Sequence, residues 1–241
     1  MKTEPVLEFK DAAIEAVPLE YGGLSGFNAR FMPGTAAFIR LESGAARSPL
    51  ADMAEGILVP GEGAVLFQGE GWSSMPPERA LIQRSRIGRV FEDRGWISNL
   101  NVNENITLSQ RHHTRRPVVE ILDEARALAS EFGLGALPEV RPAVVPRGDL
   151  RRAEWVRAFL GRPMLVMLER PMQGVPSEYL PQLLGAVWKA CARGAAVVWI
   201  SEDELPGFQP PPVPAAMYAV RGTEFKALKQ GLAERKTAAR V

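Results

Sequence analysis

Cysteine is all but missing from this chain of 241 residues: Cys191 stands alone, so no internal disulfide can form and a packed core must hold the fold. Histidine is nearly as scarce. His112 and His113 are the only two, adjacent in "RHHTRR" (111–116), where neighbouring side chains do not share a face. That leaves no positioned base for a serine or cysteine nucleophile, and no cysteine or acid cluster stands at zinc spacing. The run reads as a solvated loop. Neither sign of charge dominates, with 29 Lys and Arg against 28 Asp and Glu and a formal net charge of +1. No strong field therefore points to nucleic acid or an anionic membrane. The five tryptophans are scattered and form no stacking platform for single strands. No uninterrupted apolar run approaches the roughly 20 residues that cross a bilayer. The start "MKTEPVLEFKD" has no long apolar segment of a secretory signal, so the expected setting is cytoplasmic.

What is present is an ordinary soluble composition at a length that buries a substantial core. Short apolar runs separated by glycine-rich turns, "VLEFKDAAIEAV", "FNARFM", "AAFIRL" and "GAVLFQG", read as strands in the first seventy residues. Between them "SPLADMAEGIL" places Leu50, Met53, Ala54, Ile57 and Leu58 at helical spacing, with Ser48 as N-cap and Pro49 at the first position. "PVVEILDEARALASEFGLG" reads as a helix closed by Gly133, and "DLRRAEWVRAFLGRP" as one capped by Asp149. "MLVML" then reads as a buried strand, "SEYLPQLLGAVWKACARG" as a helix and "AAVVWIS" as a second buried strand. Helix, strand, helix, strand favours a parallel sheet in an α/β fold. "PGFQPPPVP" reads as an extended surface connection.

In order and spacing these pieces resemble the ATP-binding cassette family, the nucleotide-binding subunits of ABC transporters. "RIGRVFEDRGWISNLNVNENITL" (86–108) is similar to that family's Q-loop segment. "RPAVVPRGDLRRAEWVRAFLGRPMLVMLERP" (141–171) is similar to its signature loop, helix and Walker B strand. "AFIRLESGAARSPL" (37–50) stands in the place of the phosphate loop. The resemblance covers roughly residues 5 to 205. It implies a P-loop NTPase (RecA-like) core with an antiparallel β subdomain and a helical signature subdomain: core 5–92 and 162–220, helices 93–161, and a helical tail 221–241.

The chemistry-bearing positions depart from the family. A phosphate loop needs glycines for close backbone approach and a lysine as a compact charge. Here Leu41, Ala46, Arg47 and Ser48 occupy the matching positions, and Gly44 survives. Leu41 carries a Cβ where glycine turns freely, and Pro49 removes an N–H at the helix mouth. Glu42 adds negative charge beside the expected polyphosphate. In "MLVMLERP" Glu169 falls at the carboxylate that organises Mg²⁺, with Ser48 as the other candidate metal ligand. Arg170 falls at the carboxylate that polarises water, and an arginine accepts no proton at neutral pH. Glu92 stands at the glutamine of the Q-loop, and Glu202 at the switch histidine. As plain sequence, Arg170 reads as the ion-pair partner of an acid such as Glu92 or Glu202. The signature becomes Val145, Pro146, Arg147, Gly148 and Asp149, keeping Gly148 alone, and "MQGVPSE" keeps Gly174 without an aspartate after it. Tyr21, before "GGLSGF", lies near where the family stacks an aromatic on adenine; as plain sequence it reads first as a strand-edge residue.

Departures at every motif inside a preserved frame imply a nucleotide-binding-subunit homologue that has lost ATP hydrolysis, with ATP and Mg²⁺ as doubtful cofactors. The implied partners are a membrane permease, docked through the Q-loop groove by Trp96, Ile97 and Leu100, and a second cassette in a homodimer or heterodimer. The implied place is the cytoplasmic side of a membrane, and lipid or hydrophobic-solute transport is the guess for cargo. Two alternatives stand beside it: a divergent but active ATPase using Glu169 for metal and Arg47 for phosphate, and a freestanding dimeric scaffold bridged by Arg47, Arg147 and acids.

Overall fold

A computed structural model describes residues 4–44, 46–93, 95–202 and 212–228. The chain runs β1 (Leu7–Ile14), β2 (Leu24–Phe31), β3 (Ala36–Leu41), α1 (Leu50–Ala54), β4 (Glu62–Phe67), β5 (Glu70–Gly71), α2 (Pro77–Arg84) and β6 (Ile87–Val90). It continues through α3 (Val102–His113), α4 (Val118–Glu131), α5 (Arg147–Phe159), β7 (Leu165–Glu169), α6 (Leu180–Ala192), β8 (Ala196–Ser201), β9 (Ala215–Arg221) and β10 (Glu224–Leu228). One sheet has the order β2-β1-β4-β5 and is antiparallel throughout. The other has the order β10-β9-β3-β8-β7-β6 and is parallel except for β10.

The strand period of two decides which core each side chain joins. From β3, β7 and β8, Phe38, Leu168 and Trp199 face the helices, where they pack with Trp155 and Phe132. Their neighbours Ile39, Met167 and Val198 face the antiparallel sheet and pack with Phe9, Phe67 and Met53. The central strands are covered on both sides, which is why "MLVML" and "AAVVWIS" are apolar without alternation. Their carboxyl ends carry Glu169 and Arg170, and Ser201 and Glu202, to one rim of the sheet.

Several boundaries differ from the expected ones. The helix after the phosphate-loop segment is one short turn, Leu50–Ala54, with Pro49 at its N-cap; Gly56, at φ 63°, turns the chain away and leaves Ile57 61% exposed. The helix expected from Asp149 begins at Arg147, after Pro146, because a proline serves well at a helix mouth. Arg111 to His113 of the basic run are the last residues of α3, exposed to solvent, and only the remainder is loop. The tail expected to be helical starts as strand: β9 and β10 form a hairpin with Tyr218 opposite Ala227. The rest of that tail, and most of "PGFQPPPVP", lie outside the described residues. Among the described residues no helix is long and apolar enough to cross a membrane.

Candidate functional site

Arg89 organises the site from within. It projects from β6 with 4% exposure, and its Nε donates to Glu169 Oε2 at 2.6 Å. Its Nη1 donates to Asp52 Oδ1 and to Glu55 Oε2, both at 2.7 Å. Arg47 closes the set from the phosphate-loop position, Nη2 standing 2.7 Å from Asp52 Oδ2. Three carboxylates thus surround two guanidiniums. Burial works against the charge of Arg89, yet Glu55 and Glu169 outweigh it and raise its pKa above the ordinary value. For Glu169, 2% exposed, burial is the larger effect and lifts its carboxyl above the usual range, with Arg89 opposing only in part. Glu55 is lifted for the same reason. Glu169 Oε1 is buried without a hydrogen-bond partner among the described residues.

A second cluster lies at the carboxyl ends of β7 and β8. Arg170 Nη2 donates to Glu202 Oε1 at 2.6 Å, and its Nε stands 3.2 Å from Glu92 Oε1. The residues that the resemblance sets at the Walker B, switch and Q-loop positions therefore meet one another. Arg170 sits at φ 42°, a left-handed conformation that side-chain-bearing residues adopt at a cost, and its N–H is held by Ile200 O at 2.8 Å.

Arginines of α5 grip the Q-loop segment. Arg151 donates to the carbonyls of Phe91 and Glu92 and to Gln173 Oε1, and Arg157 donates to the carbonyl of Gly95. Arg152 reaches the carbonyls of Phe132 and Gly133. Arg151 and Arg157 thus tie α5 to the segment after β6, and Arg152 ties it to the end of α4.

The remaining expected positions serve local structure. Ser48 is buried, its Oγ 3.4 Å from the Leu50 N–H. Gly44 keeps a left-handed turn at φ 71° with open space where a Cβ would lie. Gly148 packs on the segment after β7: a Cβ there would come 2.9 Å from the carbonyl oxygen of Gly174. Glu42 accepts from the Gly222 N–H, bracing the β9–β10 turn. Tyr21 bridges Val17, while the next N–H, of Gly22, donates to Arg47 O at 2.9 Å, and Ala46 lies beneath Gly22. The structure thus brings Tyr21, Ala46 and Arg47 to one place. Arg147 is exposed at the start of α5, and Trp96 packs against the helical core while Ile97 is 45% exposed. Sequence reasoning missed Arg89, Asp52 and Glu55. A charge inside the strand "RIGRV" was the available signal, since a buried arginine demands acids nearby.

A model of the ABC transporter family matches residues 24–173. The chain belongs to the ABC transporter family. It is 27% identical over 162 residues to the intermembrane phospholipid transport system ATP-binding protein MlaF of Escherichia coli K12, covering 67% of this chain and 60% of that protein. It is 28% identical over 181 residues to the lipoprotein-releasing system ATP-binding protein LolD of Pseudomonas fluorescens, covering 74% and 79%. The chain therefore spans about 60% of the length of the phospholipid-system relative. Among solved structures, it resembles the ATP-binding subunit of an ABC transporter at TM-score 0.76, with 20% identity over 92% of this chain and 90% of that one. It also resembles a dimeric ATP-binding cassette in a post-hydrolysis state with ADP and Pi, at TM-score 0.74 and 18% identity over 93% and 99%. These two likenesses are of the fold: an α/β P-loop NTPase core.

ABC ATPases in general bind ATP with Mg²⁺, and the residues of this chain do not fit that pair. Mg²⁺ needs oxygen donors free to complete an octahedron. Glu169 has given one oxygen to Arg89, and the other is buried. Ser48 is turned to its own helix, Arg47 is held by Asp52, and Pro49 offers no N–H to a phosphate. Among the described residues no group of three or more histidines, cysteines or acids is arranged to hold a metal ion.

Proposed function

We propose that this chain is an ABC ATP-binding-subunit homologue without ATP hydrolysis, serving as a structural or regulatory subunit docked to a membrane permease. One observation carries the reading: Arg170, at the position of the water-polarising carboxylate, is bound to Glu202 and Glu92 at the two positions that would sense the terminal phosphate and its water. An arginine there accepts no proton, and loss of a general base removes about 10²- to 10⁴-fold of rate. The ion pairs supply what the positions would otherwise take from nucleotide: counter-charges and a fixed Q-loop. Pairing with a second cassette and a peripheral place on the cytoplasmic side of a membrane follow the family. The phospholipid-system and lipoprotein-releasing relatives support lipid or hydrophobic solute as cargo. Steady-state turnover of Mg-ATP by the purified chain tests this. The expected result is a rate at the protein-free baseline, unchanged in Arg47→Ala and Glu169→Gln. Mg²⁺-dependent turnover abolished by those substitutions contradicts it.

A further inference from the structure

Charge is balanced over the whole chain but not at the corner between α3 and α4. α3 ends in Arg111, His112 and His113, and Thr114 to Pro117 turn the chain into α4. The corner is braced from inside: Thr114 Oγ1 donates to the Gln110 carbonyl at 2.6 Å, and the Arg116 N–H donates to Thr114 Oγ1 at 3.3 Å. Glu124 of α4 holds Arg116 Nη2 at 2.6 Å and accepts from the Gly161 N–H at 3.2 Å, which draws the turn between α5 and β7 onto the same corner. Gly161 also packs on the Gln110 side chain. Arg116 and Glu124 are thus occupied by the structure, and what remains outward is cationic. Arg111, Arg115 and Arg162 are exposed with no ion-pair partner among the described residues, and His112 and His113 are exposed beside Arg111. No acid stands between Arg111 and Val119, and Glu120 follows them. Cations at a helix carboxyl end face its dipole, but Arg115 lies beyond α3 and Arg162 on another turn, so the dipole does not explain them. Two apolar side chains complete the corner. Val118 and Val119, the first residues of α4, are 47% and 64% exposed, while Ile121 and Ala125 of the same helix are buried. Exposed β-branched residues in a first turn add neither packing nor helix propensity, so the fold gains little from this pair.

We infer that this corner seats directly on the surface of an anionic phospholipid bilayer, with Arg111, Arg115 and Arg162 against the lipid phosphates and Val118 and Val119 entering the boundary beneath the headgroups. The inference goes beyond the permease-docking reading and needs no permease. Two features together select this occupant. Cations alone suit any polyanion, whereas adjoining exposed valines suit a partner with an apolar layer under its phosphates. A nucleic acid offers phosphates without that layer, and the run from Arg111 to Val119 has no aromatic residue on which a base could stack. With a net charge of +1 the chain as a whole is not drawn to an anionic surface, so the attraction is local to the corner. A few arginines and two valines give a reversible contact, one that orients the helices toward the bilayer without anchoring them.

The test is flotation of the full chain with vesicles of phosphatidylcholine alone and of phosphatidylcholine and phosphatidylglycerol in equal parts. The chain is expected to float with the anionic vesicles only, less so as salt rises and screens the exposed charges. Arg111→Gln with Arg115→Gln should lower the partition about 25-fold, fivefold for each arginine near the surface. The same two positions changed to lysine should keep most of it. Val119→Ser should lower the partition severalfold at low and high salt alike, a loss that a purely electrostatic contact does not show. All three side chains are exposed, so the melting temperature should stay where it is in each variant. No flotation with anionic vesicles, equal flotation with neutral ones, or a partition that either the glutamine pair or Val119→Ser leaves unchanged overturns the inference. Capture of the chain by duplex DNA in the presence of excess anionic vesicles overturns it as well. Turnover of Mg-ATP would remove the proposed function and leave this inference standing; failure to float with no turnover removes this inference alone.

Discussion

Arg170 is where the chemistry of the family and the physics of this chain part most clearly. Replacing it by alanine leaves Glu92 and Glu202 without their shared cation. The cost expected is about 1–2 kcal/mol by urea denaturation, less than the 3–5 kcal/mol of a fully buried pair because its side chain is 24% exposed. Unchanged stability would show the ion pairs to be idle. The inner cluster makes a prediction about pH. Glu169 faces Arg89, with Asp52 and Arg47 beyond it, and burial raises its folded-state pKa; Glu55, on the same arginine, is raised likewise. A raised carboxyl stabilises the fold fully below its unfolded pKa of about 4.3, and that contribution is lost as pH rises through the folded value. Thermal melts of the native chain against Glu169→Gln should therefore show the native chain losing ground as pH rises; the opposite slope contradicts the protonation account. The two clusters were not equally legible in the sequence. The sequence offered Arg170 as the ion-pair partner of an acid such as Glu92 or Glu202, and the structure pairs it with both. Arg89 was not offered, because its partners Asp52 and Glu55 are far away in sequence and no motif draws them.

At the scale of elements, β6 and α5 form the joint that carries the Q-loop segment. They can approach because Gly88 has no side chain: a Cβ there would lie 1.8 Å from the backbone oxygen of Ala158. Gly88→Ala must push the helix from the strand, an overpacking cost expected near about 3 kcal/mol, read as a lowered denaturation midpoint. A neutral result would mean that the joint is loose. Strands and helices in this region were readable from apolar runs and glycine or proline stops, as "MLVML" and "PVVEILDEARALASEFGLG" show. Three details were not. Gly56 cuts the first helix short through its positive φ, Pro146 starts α5 before the better-looking Asp149, and β10 is strand because pairing with β9 outweighs local preference.

For the whole molecule, the sheet and helices of an ABC cassette are joined by the ion pairs of Arg47, Arg89 and Arg170 and by the arginines of α5. The frame was readable because long apolar strands and spaced helices survive changes at a few rim positions. The fate of the rim was only half readable, since the phosphate-loop residues show what is missing but not that Asp52 has taken Arg47. Arg47, Ser48, Glu169 and Arg170 are all engaged by the protein itself, so Mg-ATP should find neither counter-charge nor metal ligand. The decisive measurement is calorimetric titration of the full chain with Mg-ATP, paired with a thermal melt at saturating nucleotide. A ligand at a hundredfold over its Kd stabilises by about 2.7 kcal/mol, which in a chain of this size moves the melt by several degrees. No heat and no shift is the result expected of a site filled by its own side chains; saturable binding with a shifted melt would contradict it.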